Sequence, residues 1–284
     1  MATIGSSFFP WLGGKHHLAN RLLRYLPAHR AYCEVFAGAA SLLFLKEPSE
    51  IEALNDLNGD IVNLFMVTRD HPIQLLERIY LLPYSREIFE QWSEQILKTT
   101  QPSDRIERAA RFYYTVCCGF GGRGPGGGWA FERSHIRHQP LTWWNRATHI
   151  PLIHERLRNV HLDHLDFRRF IANWDAPENF FYADPPYFET ADYKSVPTFT
   201  ESDHRDLAKL LSNAKAKWLV TTGDHPLMRE LYAAFRIEPV ETPLGVEKVE
   251  GEGTRDVLKH LIITNYDPAR MQAFAPLKQT TLSI

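Results

Sequence analysis

The most informative part of the chain is the run Asn179-Phe180-Phe181-Tyr182-Ala183-Asp184-Pro185-Pro186-Tyr187. Its first five residues are apolar enough to predict a buried strand, and the two prolines make the backbone after Asp184 stiff. Open α/β sheets bind their ligands at the carboxyl ends of their strands. We therefore expect Asp184, the prolyl carbonyls and the Tyr187 ring to form a rigid platform there. Such a platform suits a planar base held by its amino group.

Length and composition exclude several classes of protein. A chain of 284 residues that is 44% hydrophobic can bury the core of one large or two modest domains. It contains no apolar run of about 18 residues, so we expect no membrane span. The amino-terminal sequence lacks the order of a secretory signal, and three cysteines are too few for a disulfide framework or a zinc site. We expect a cytoplasmic protein without a metal.

Alternating strand and helix signals predict an α/β fold with a mainly parallel sheet. The strand candidates are residues 32–36, 51–55, 160–162, 179–183, 218–222, 236–240 and 259–265. A capping box at Thr200 predicts a helix that runs to about Ser212. The alternation stops between residues 58 and 159, which are predicted to be helical at first (61–68, 73–81, 85–97 and 106–116) and then rich in loops. We predict a catalytic domain of residues 1–57 and 160–284 with an inserted domain of residues 58–159.

Small residues after the first strand indicate a nucleoside site. Phe36-Ala37-Gly38-Ala39-Ala40-Ser41 opens a helix, and its small side chains let a ligand approach the backbone. Asp56 follows the next strand, where an acidic side chain can bind ribose hydroxyls. The pattern is not Gly-x-Gly-x-x-Gly, so a nicotinamide dinucleotide is a poor candidate. An adenosine cofactor without phosphate fits better. Trp11 and Lys15 lie in a further motif, Pro10-Trp11-Leu12-Gly13-Gly14-Lys15, which by itself is more typical of a core tryptophan and a solvated lysine than of a binding site.

The inserted segment has features of a nucleic-acid interface. Residues 105–170 hold eleven Arg, no Lys and five acidic residues, a surplus of six positive charges. Arginine contacts phosphates and guanine edges in a bidentate way, although a basic face can also be solvated or paired internally. Residues 119–129 hold seven of the sixteen glycines but lack the helix and Lys-Ser/Thr of a phosphate-binding loop. We predict a mobile loop in which Arg123, Trp129 and Arg133 face DNA, with a disordered surface loop as the alternative.

Taken together, these motifs resemble the Dam-like family of S-adenosylmethionine-dependent DNA adenine-N6 methyltransferases, which includes many phage-borne members. The resemblance covers nearly the whole chain. It rests on the ordered motifs Phe-Pro-Trp-Leu-Gly-Gly-Lys, Phe-Ala-Gly-Ala-Ala-Ser, Asn-Asp-Leu-Asn and Asp-Pro-Pro-Tyr, with an insertion of about one hundred residues. It implies a Rossmann-like methyltransferase fold, with a mainly parallel seven-stranded sheet, helices on both faces and an inserted, mostly helical target-recognition domain.

The resemblance also implies roles for individual residues. Trp11 and Lys15 would contact the methionine end or the base of S-adenosylmethionine, the loop with Phe36 and Gly38 would pass under it, and Asp56 would take the ribose. Asp166 and Phe167 would bracket the adenine of the cofactor. Asp184, Pro185, Pro186 and Tyr187 would form the catalytic motif, with Asp184 facing both the cofactor and the target base. The partner would be double-stranded DNA, and the family leads us to expect a monomer.

Two departures from the family pattern limit what the resemblance implies. Family members often carry Gly where Ala40 stands, and the glycine-rich loop does not match the recognition segment of GATC-specific members. The sequence alone also leaves three rival functions open: transfer to cytosine N4, transfer to glutamine in a protein, and an inactive DNA-binding protein that keeps the methyltransferase fold. Asp at position 184 favours adenine.

Overall fold

The computed structural model describes residues 8–11, 15–131, 139–189, 197–243 and 257–271. The strands are β1 (Ala31–Glu34), β2 (Ile51–Asn55), β3 (Val160–Asp163), β4 (Asn179–Ala183), β5 (Lys217–Gly223), β6 (Arg236–Pro243) and β7 (Val257–Thr264). They form one seven-stranded sheet in the order β3-β2-β1-β4-β5-β7-β6. The two pairs that involve β7 are antiparallel, and the other four pairs are parallel. The predicted α/β fold with a mainly parallel, seven-stranded sheet is confirmed.

Helices cover both faces of this sheet. They are α1 (His16–Leu22), α2 (Ser41–Leu45), α3 (Gly59–Asp70), α4 (Pro72–Tyr80), α5 (Arg86–Leu97), α6 (Arg105–Cys118), α7 (Gln139–Ala147), α8 (Ile150–Leu157), α9 (Phe167–Trp174), α10 (Glu201–Asn213) and α11 (Pro226–Leu231). Side chains alternate along a strand, so Phe180 and Tyr182 point to one face and Phe181 and Ala183 to the other. The first pair packs with α1 to α8 and the second with α9 to α11.

The described part of the inserted segment beyond α6 begins with a loop, as predicted, but it ends in two helices that the sequence argument did not predict. Helices α7 and α8 occupy residues 139–157, and they bury Trp143, Ile153 and Leu157 in the same apolar core as α6. Pro151 lies in the first turn of α8. Proline is compatible with that position because the first amide groups of a helix have no partner within it. The sequence argument did not predict these helices because the segment contains turn-forming residues.

The predicted capping box of α10 is confirmed: Thr200 Oγ1 accepts a hydrogen bond from the amide of Asp203, and the Asp203 carboxylate accepts one from the amide of Thr200. Helices α3 to α8 share a continuous apolar core with one face of the sheet. The division into residues 1–57 with 160–284 and residues 58–159 therefore stays a prediction. No helix in the described ranges is long and apolar enough to cross a membrane.

Candidate active site

A cavity of about 330 Å³ opens at the carboxyl ends of β1, β2 and β4. The structure brings all of the predicted cofactor-binding residues to its wall. These are Trp11, Lys15, Phe36, Gly38, Asp56, Asp166, Phe167 and Asp184. Parallel strands end at the same edge of a sheet, so residues far apart in sequence meet there. Pro186 lines the cavity as well, with the buried Pro185 and the half-buried Tyr187 beside it.

Asp184 is held at the cavity by two side chains. Lys15 Nζ lies 2.6 Å from Asp184 Oδ2, and the Thr221 hydroxyl donates to Asp184 Oδ1 over 2.7 Å. Burial raises the pKa of the Asp184 carboxyl, and the charge of Lys15 and both hydrogen bonds offset part of that rise. The lysine and the threonine fix the direction in which the carboxylate points.

Tyr187 is fixed through a chain of hydrogen bonds. Its hydroxyl lies 2.8 Å from Nδ1 of His260 on β7, and Nε2 of that imidazole lies 2.8 Å from the Thr242 hydroxyl on β6. Burial lowers the pKa of His260 to about 4, with a smaller contribution from the charge of Lys15. The imidazole is therefore neutral near pH 7, and one nitrogen donates while the other accepts.

Two further contacts orient the Tyr187 ring. Lys15 Nζ lies 4.6 Å from the ring centroid, a cation–π distance. A Cβ at Gly223 would lie 3.1 Å from Tyr187 Cδ2, so the ring packs directly on the backbone at the end of β5. Asp184 and Tyr187 thus share Lys15 as a neighbour, and the geometry of one depends on that of the other.

Asp56 closes the loop that follows β1. Its two carboxylate oxygens accept hydrogen bonds of 2.8 Å from the amides of Gly38 and Asn58. Burial raises the pKa of Asp56, and these amides offset part of the rise. Each carboxylate oxygen has a second lone pair, so Asp56 can still accept hydrogen bonds from hydroxyl groups of a ligand.

The loop after β1 needs small residues at positions 38 and 40 because of its backbone conformation and close packing. Gly38 has φ of +49°, and a Cβ there would lie 3.0 Å from Cδ1 of Trp11. Ala40 also has a left-handed backbone, with φ of +49°, immediately before α2. That conformation favours glycine over alanine.

Glu34 is a site residue that the sequence analysis missed. It lines the cavity from the end of β1 and is 1% exposed. Its Oε1 accepts hydrogen bonds from the Tyr32 hydroxyl and the amide of Leu43. Burial nevertheless raises the pKa of Glu34 to about 8. A cationic group of a ligand placed beside this carboxyl would lower its pKa and pair with the ionised form.

The far end of the cavity is aromatic. The rings of Phe36, Phe167 and Phe199 lie with their centroids 5.5 to 5.7 Å apart. Asp166 caps the start of α9 by accepting a hydrogen bond from the amide of Arg168, and its carboxylate is half-exposed at the rim. A slot of flat rings with a carboxylate at its edge suits a planar heterocycle that carries an amino group.

Of the predicted DNA-facing residues, Arg123 and Trp129 are described, and neither lines the cavity. Arg123 is exposed, whereas Trp129 is half-buried, with its ring centroid 4.4 Å from that of Tyr84 and 5.4 Å from that of Phe89. Arg133 lies outside the described residues. Between residues 118 and 130 the two arms of the glycine-rich loop are joined by backbone hydrogen bonds, from Phe120 N to Gly128 O and from Ala130 N to Cys118 O. The loop is thus a closed hairpin in this structure.

Internal ion pairs account for part of the arginine surplus. Arg108 pairs with Asp60, Arg111 with Glu107 and Arg156 with the buried Glu52, and Arg168 contacts Asp203 and Asp206. Several of these acids lie outside residues 105–170, so counting charges within that range overstated its free positive charge. Because the arginines named above are held in ion pairs, the exposed Arg123 is a better candidate for a phosphate contact than they are.

Thr221 and His260 also escaped the sequence analysis. Ala183 pairs with Val220, which places Thr221 level with Asp184, and Gly223 pairs with His260. The sequence did not reveal the order of the strands in the sheet, and that order brings these two residues to the site. Thr221 could have been found from the expectation that neighbouring parallel strands end together.

Comparison with known proteins places this geometry in a family. The model of the D12 class N6 adenine-specific DNA methyltransferases matches residues 11–243. A type II methyltransferase, M1.LlaDCHI of Lactococcus lactis subsp. cremoris, is 24% identical over 91% of this chain and 95% of its own. The DNA adenine methylase of Salmonella typhi is 25% identical over 90% of this chain and 94% of its own. The DNA N-6-adenine-methyltransferase of Escherichia phage P1 is 22% identical over 82% of this chain, which corresponds to 32% of the phage protein. The chain belongs to the D12 class of N6 adenine-specific DNA methyltransferases.

Proposed function

We propose that the cavity binds S-adenosylmethionine and that Asp184 directs its methyl group to N6 of an adenine flipped out of duplex DNA, at a specific sequence. The observation that carries this proposal is that Asp184 borders a cavity together with every residue of the predicted cofactor site. Membership of an adenine-N6 family favours adenine over the cytosine and glutamine alternatives.

The residues of the wall fit this cofactor chemically. Glu34 would meet its ammonium group, Asp56 its ribose hydroxyls, and the slot of Phe36 and Phe167 its adenine, with Asp166 near the adenine amino group. Of the described side chains that line the cavity, Lys15 is the one cation, and it is paired with Asp184. Such a wall favours a nucleoside without phosphates. The volume lies in the range of small-molecule sites, about 300–1,000 Å³.

S-adenosylmethionine supplies a sulfonium-bound methyl group that is open to attack by a nucleophile. The protein's task is to hold the adenine amine, whose lone pair is delocalised into the ring. Asp184 would accept one amino hydrogen and the Pro185 carbonyl the other, which favours a tetrahedral nitrogen. Positioning of this kind contributes on the order of several kcal/mol to the rate.

The contacts of Asp184 suit this role. Lys15 and Thr221 each occupy one lone pair of its oxygens, and one lone pair per oxygen remains for the base. The amino proton becomes acidic only as the new bond forms. A carboxylate whose pKa is raised by burial is a better acceptor for that proton.

The target base must leave the duplex to reach Asp184. Tyr187 would stack on the flipped adenine, a contact worth about 1–3 kcal/mol. His260 and Gly223 fix the ring before the base arrives, so little conformational freedom is lost on binding.

Residues 58–159 would supply the recognition of the target sequence, with Arg123, Trp129 and Arg133 at the DNA. Arg123 is exposed on the closed hairpin, which supports a phosphate contact. Trp129 would act mainly by holding that hairpin, because its ring packs against Tyr84 and Phe89. We expect a monomer to carry out the reaction.

Expression in a methylation-deficient bacterial host, followed by modification-sensitive single-molecule sequencing, tests the proposal. N6-methyladenine in a defined motif is the expected result. N4-methylcytosine instead would move the acceptor to cytosine. Unmodified DNA together with soluble protein that binds no S-adenosylmethionine would favour an inactive DNA-binding protein.

A further inference from the structure

The glycine-rich hairpin packs directly on the segment that carries Trp11. Gly122 is buried, with φ of +67°, and a Cβ there would lie 2.9 Å from both the carbonyl carbon of Pro10 and the amide nitrogen of Trp11. Real Cβ atoms do not approach backbone atoms so closely, so only glycine permits this contact. The hairpin and the start of the chain meet backbone to backbone.

Trp11 is enclosed between two loops that come from different parts of the sequence. The pyrrole end of its indole contacts Gly38, where a Cβ would lie 3.0 Å from Cδ1. The benzene end faces Gly124, where a Cβ would lie 3.6 Å from Cζ3. Phe9 and Phe112 pack around the same ring, with centroids 5.9 and 6.0 Å away. One indole thus touches both the loop after β1 and the hairpin.

We propose that the hairpin of residues 119–129 is a positioning element of the cofactor site, which seats Trp11 against Gly38 and couples the cavity to the inserted segment. The inference rests on the proposed function, in which the cavity binds S-adenosylmethionine. A displaced hairpin would move Trp11 out of the wall and weaken cofactor binding. Because coupling is reciprocal, a bound cofactor would also hold the hairpin, and with it Arg123, in place for DNA.

The neighbouring Gly121 provides a matched control. Its φ of +65° is close to that of Gly122, but a Cβ there would meet nothing within 4 Å. Gly121→Ala and Gly122→Ala therefore place the same residue on the same left-handed backbone, and they differ in the contact with Pro10 and Trp11. Any difference between the two variants in cofactor affinity reports that contact.

The test is isothermal titration of S-adenosylmethionine into the full chain, the two variants and Trp11→Ala, well below their thermal midpoints. Gly122→Ala is expected to raise Kd by about fivefold or more over Gly121→Ala, the lower end of the usual coupling range. In the Trp11→Ala background it is expected to add nothing. A purely structural role would lower the thermal midpoint and leave Kd unchanged.

Equal Kd values for the two glycine variants would overturn the proposal, as would an undiminished effect of Gly122→Ala without Trp11. If Gly122→Ala does not fold, Gly127→Ala replaces it, because a Cβ there would lie 2.9 Å from Cβ of Arg123 and 3.1 Å from the carbonyl oxygen of Gly124 and so disturb the hairpin itself. A Kd equal to that of Gly121→Ala is then the contrary result. A wild-type chain that binds no S-adenosylmethionine would instead remove the proposed function itself, and this inference with it.

Discussion

Asp184 is held by side chains that reach it from other elements, whereas Trp11 is held by loops that come close because they lack side chains. Lys15 and Thr221 fix the carboxylate through charge and hydrogen bonds. Gly38 packs closely against the indole, and Gly122 packs closely against the backbone of Pro10 and Trp11. The geometry of Asp184 is therefore disturbed by substitutions that remove side-chain atoms, and that of Trp11 by substitutions that add a side chain to a glycine. The difference decides which substitutions are informative in each region.

Removing the carboxylate should have the largest effect. Asp184→Ala is expected to lower methyl transfer about a thousandfold or more, because it removes the group that holds the amine in line. Binding of DNA should change little. Steady-state methylation and fluorescence anisotropy measure the two quantities. Asp184→Asn serves as the control of equal size, and near-normal turnover by either variant contradicts the mechanism.

Removing the Tyr187 ring should have the next largest effect. Loss of a stacking contact of about 1–3 kcal/mol corresponds to a fall in turnover of roughly 5- to 150-fold for Tyr187→Ala. Binding of DNA should persist while fewer target bases are flipped, as seen by the fluorescence of 2-aminopurine at the target position. Turnover that stays at the wild-type level would remove stacking from the mechanism.

Removing charge from Arg123 on the hairpin and from Arg133 beyond it in sequence should act differently from disturbing the packing of the hairpin. Replacing Arg123 and Arg133 by Ala is expected to weaken binding of all DNA sequences and to reduce the slope of log K against log salt by about two, if each arginine contacts one phosphate. Affinity of the cofactor should not change. An unaltered salt slope would place the hairpin outside the DNA interface.

His260 should act only through the Tyr187 hydroxyl. His260→Phe is expected to cost about 0.5–1.5 kcal/mol of transition-state stabilisation, the usual net value of one hydrogen bond. Tyr187→Phe removes the same bond from the other side, so the double variant should be no worse than the poorer single variant. Additive losses in kcat would show that His260 has a separate role.

Glu34 lines the same cavity, and its substitution should change stability in a way that depends on pH. Its pKa of about 8 is above the ordinary value of 4.5. Its contribution to stability is therefore fully present below about pH 4.5 and is lost as the pH rises through 8. Glu34→Gln cannot ionise, so its stability relative to the wild type should increase between about pH 6 and pH 9 in urea unfolding. A relative stability that falls over this range would contradict the assignment.

Local signals were enough to predict the end of β4, the loop with Gly38 and Asp56, and the capping box of Thr200. Each is a property of a short stretch of chain, in which residue types and spacing fix the geometry. The roles assigned to these residues remain predictions until the variants above are measured.

The partners of these residues could not be predicted in the same way, because they depend on contacts between distant segments. His260 meets Tyr187 only because β7 runs antiparallel between β5 and β6. Gly122 meets Pro10 across more than a hundred residues. The ion pair of Arg156 with Glu52 likewise joins the inserted segment to β2, and Arg108 pairs with Asp60 on a different helix of that segment.

The position of β7 also has a consequence for synthesis of the chain. Strand β6 pairs only with β7 in the described sheet, and β7 pairs with β5, so β6 cannot join the sheet until residues 257–264 have been made. Until then the edge of β5 is open, and open edges recruit other chains. A nascent chain stalled before Val257 should therefore aggregate more readily than one stalled after Thr264. In the shorter chain Tyr187 would also lack its hydrogen bond with His260.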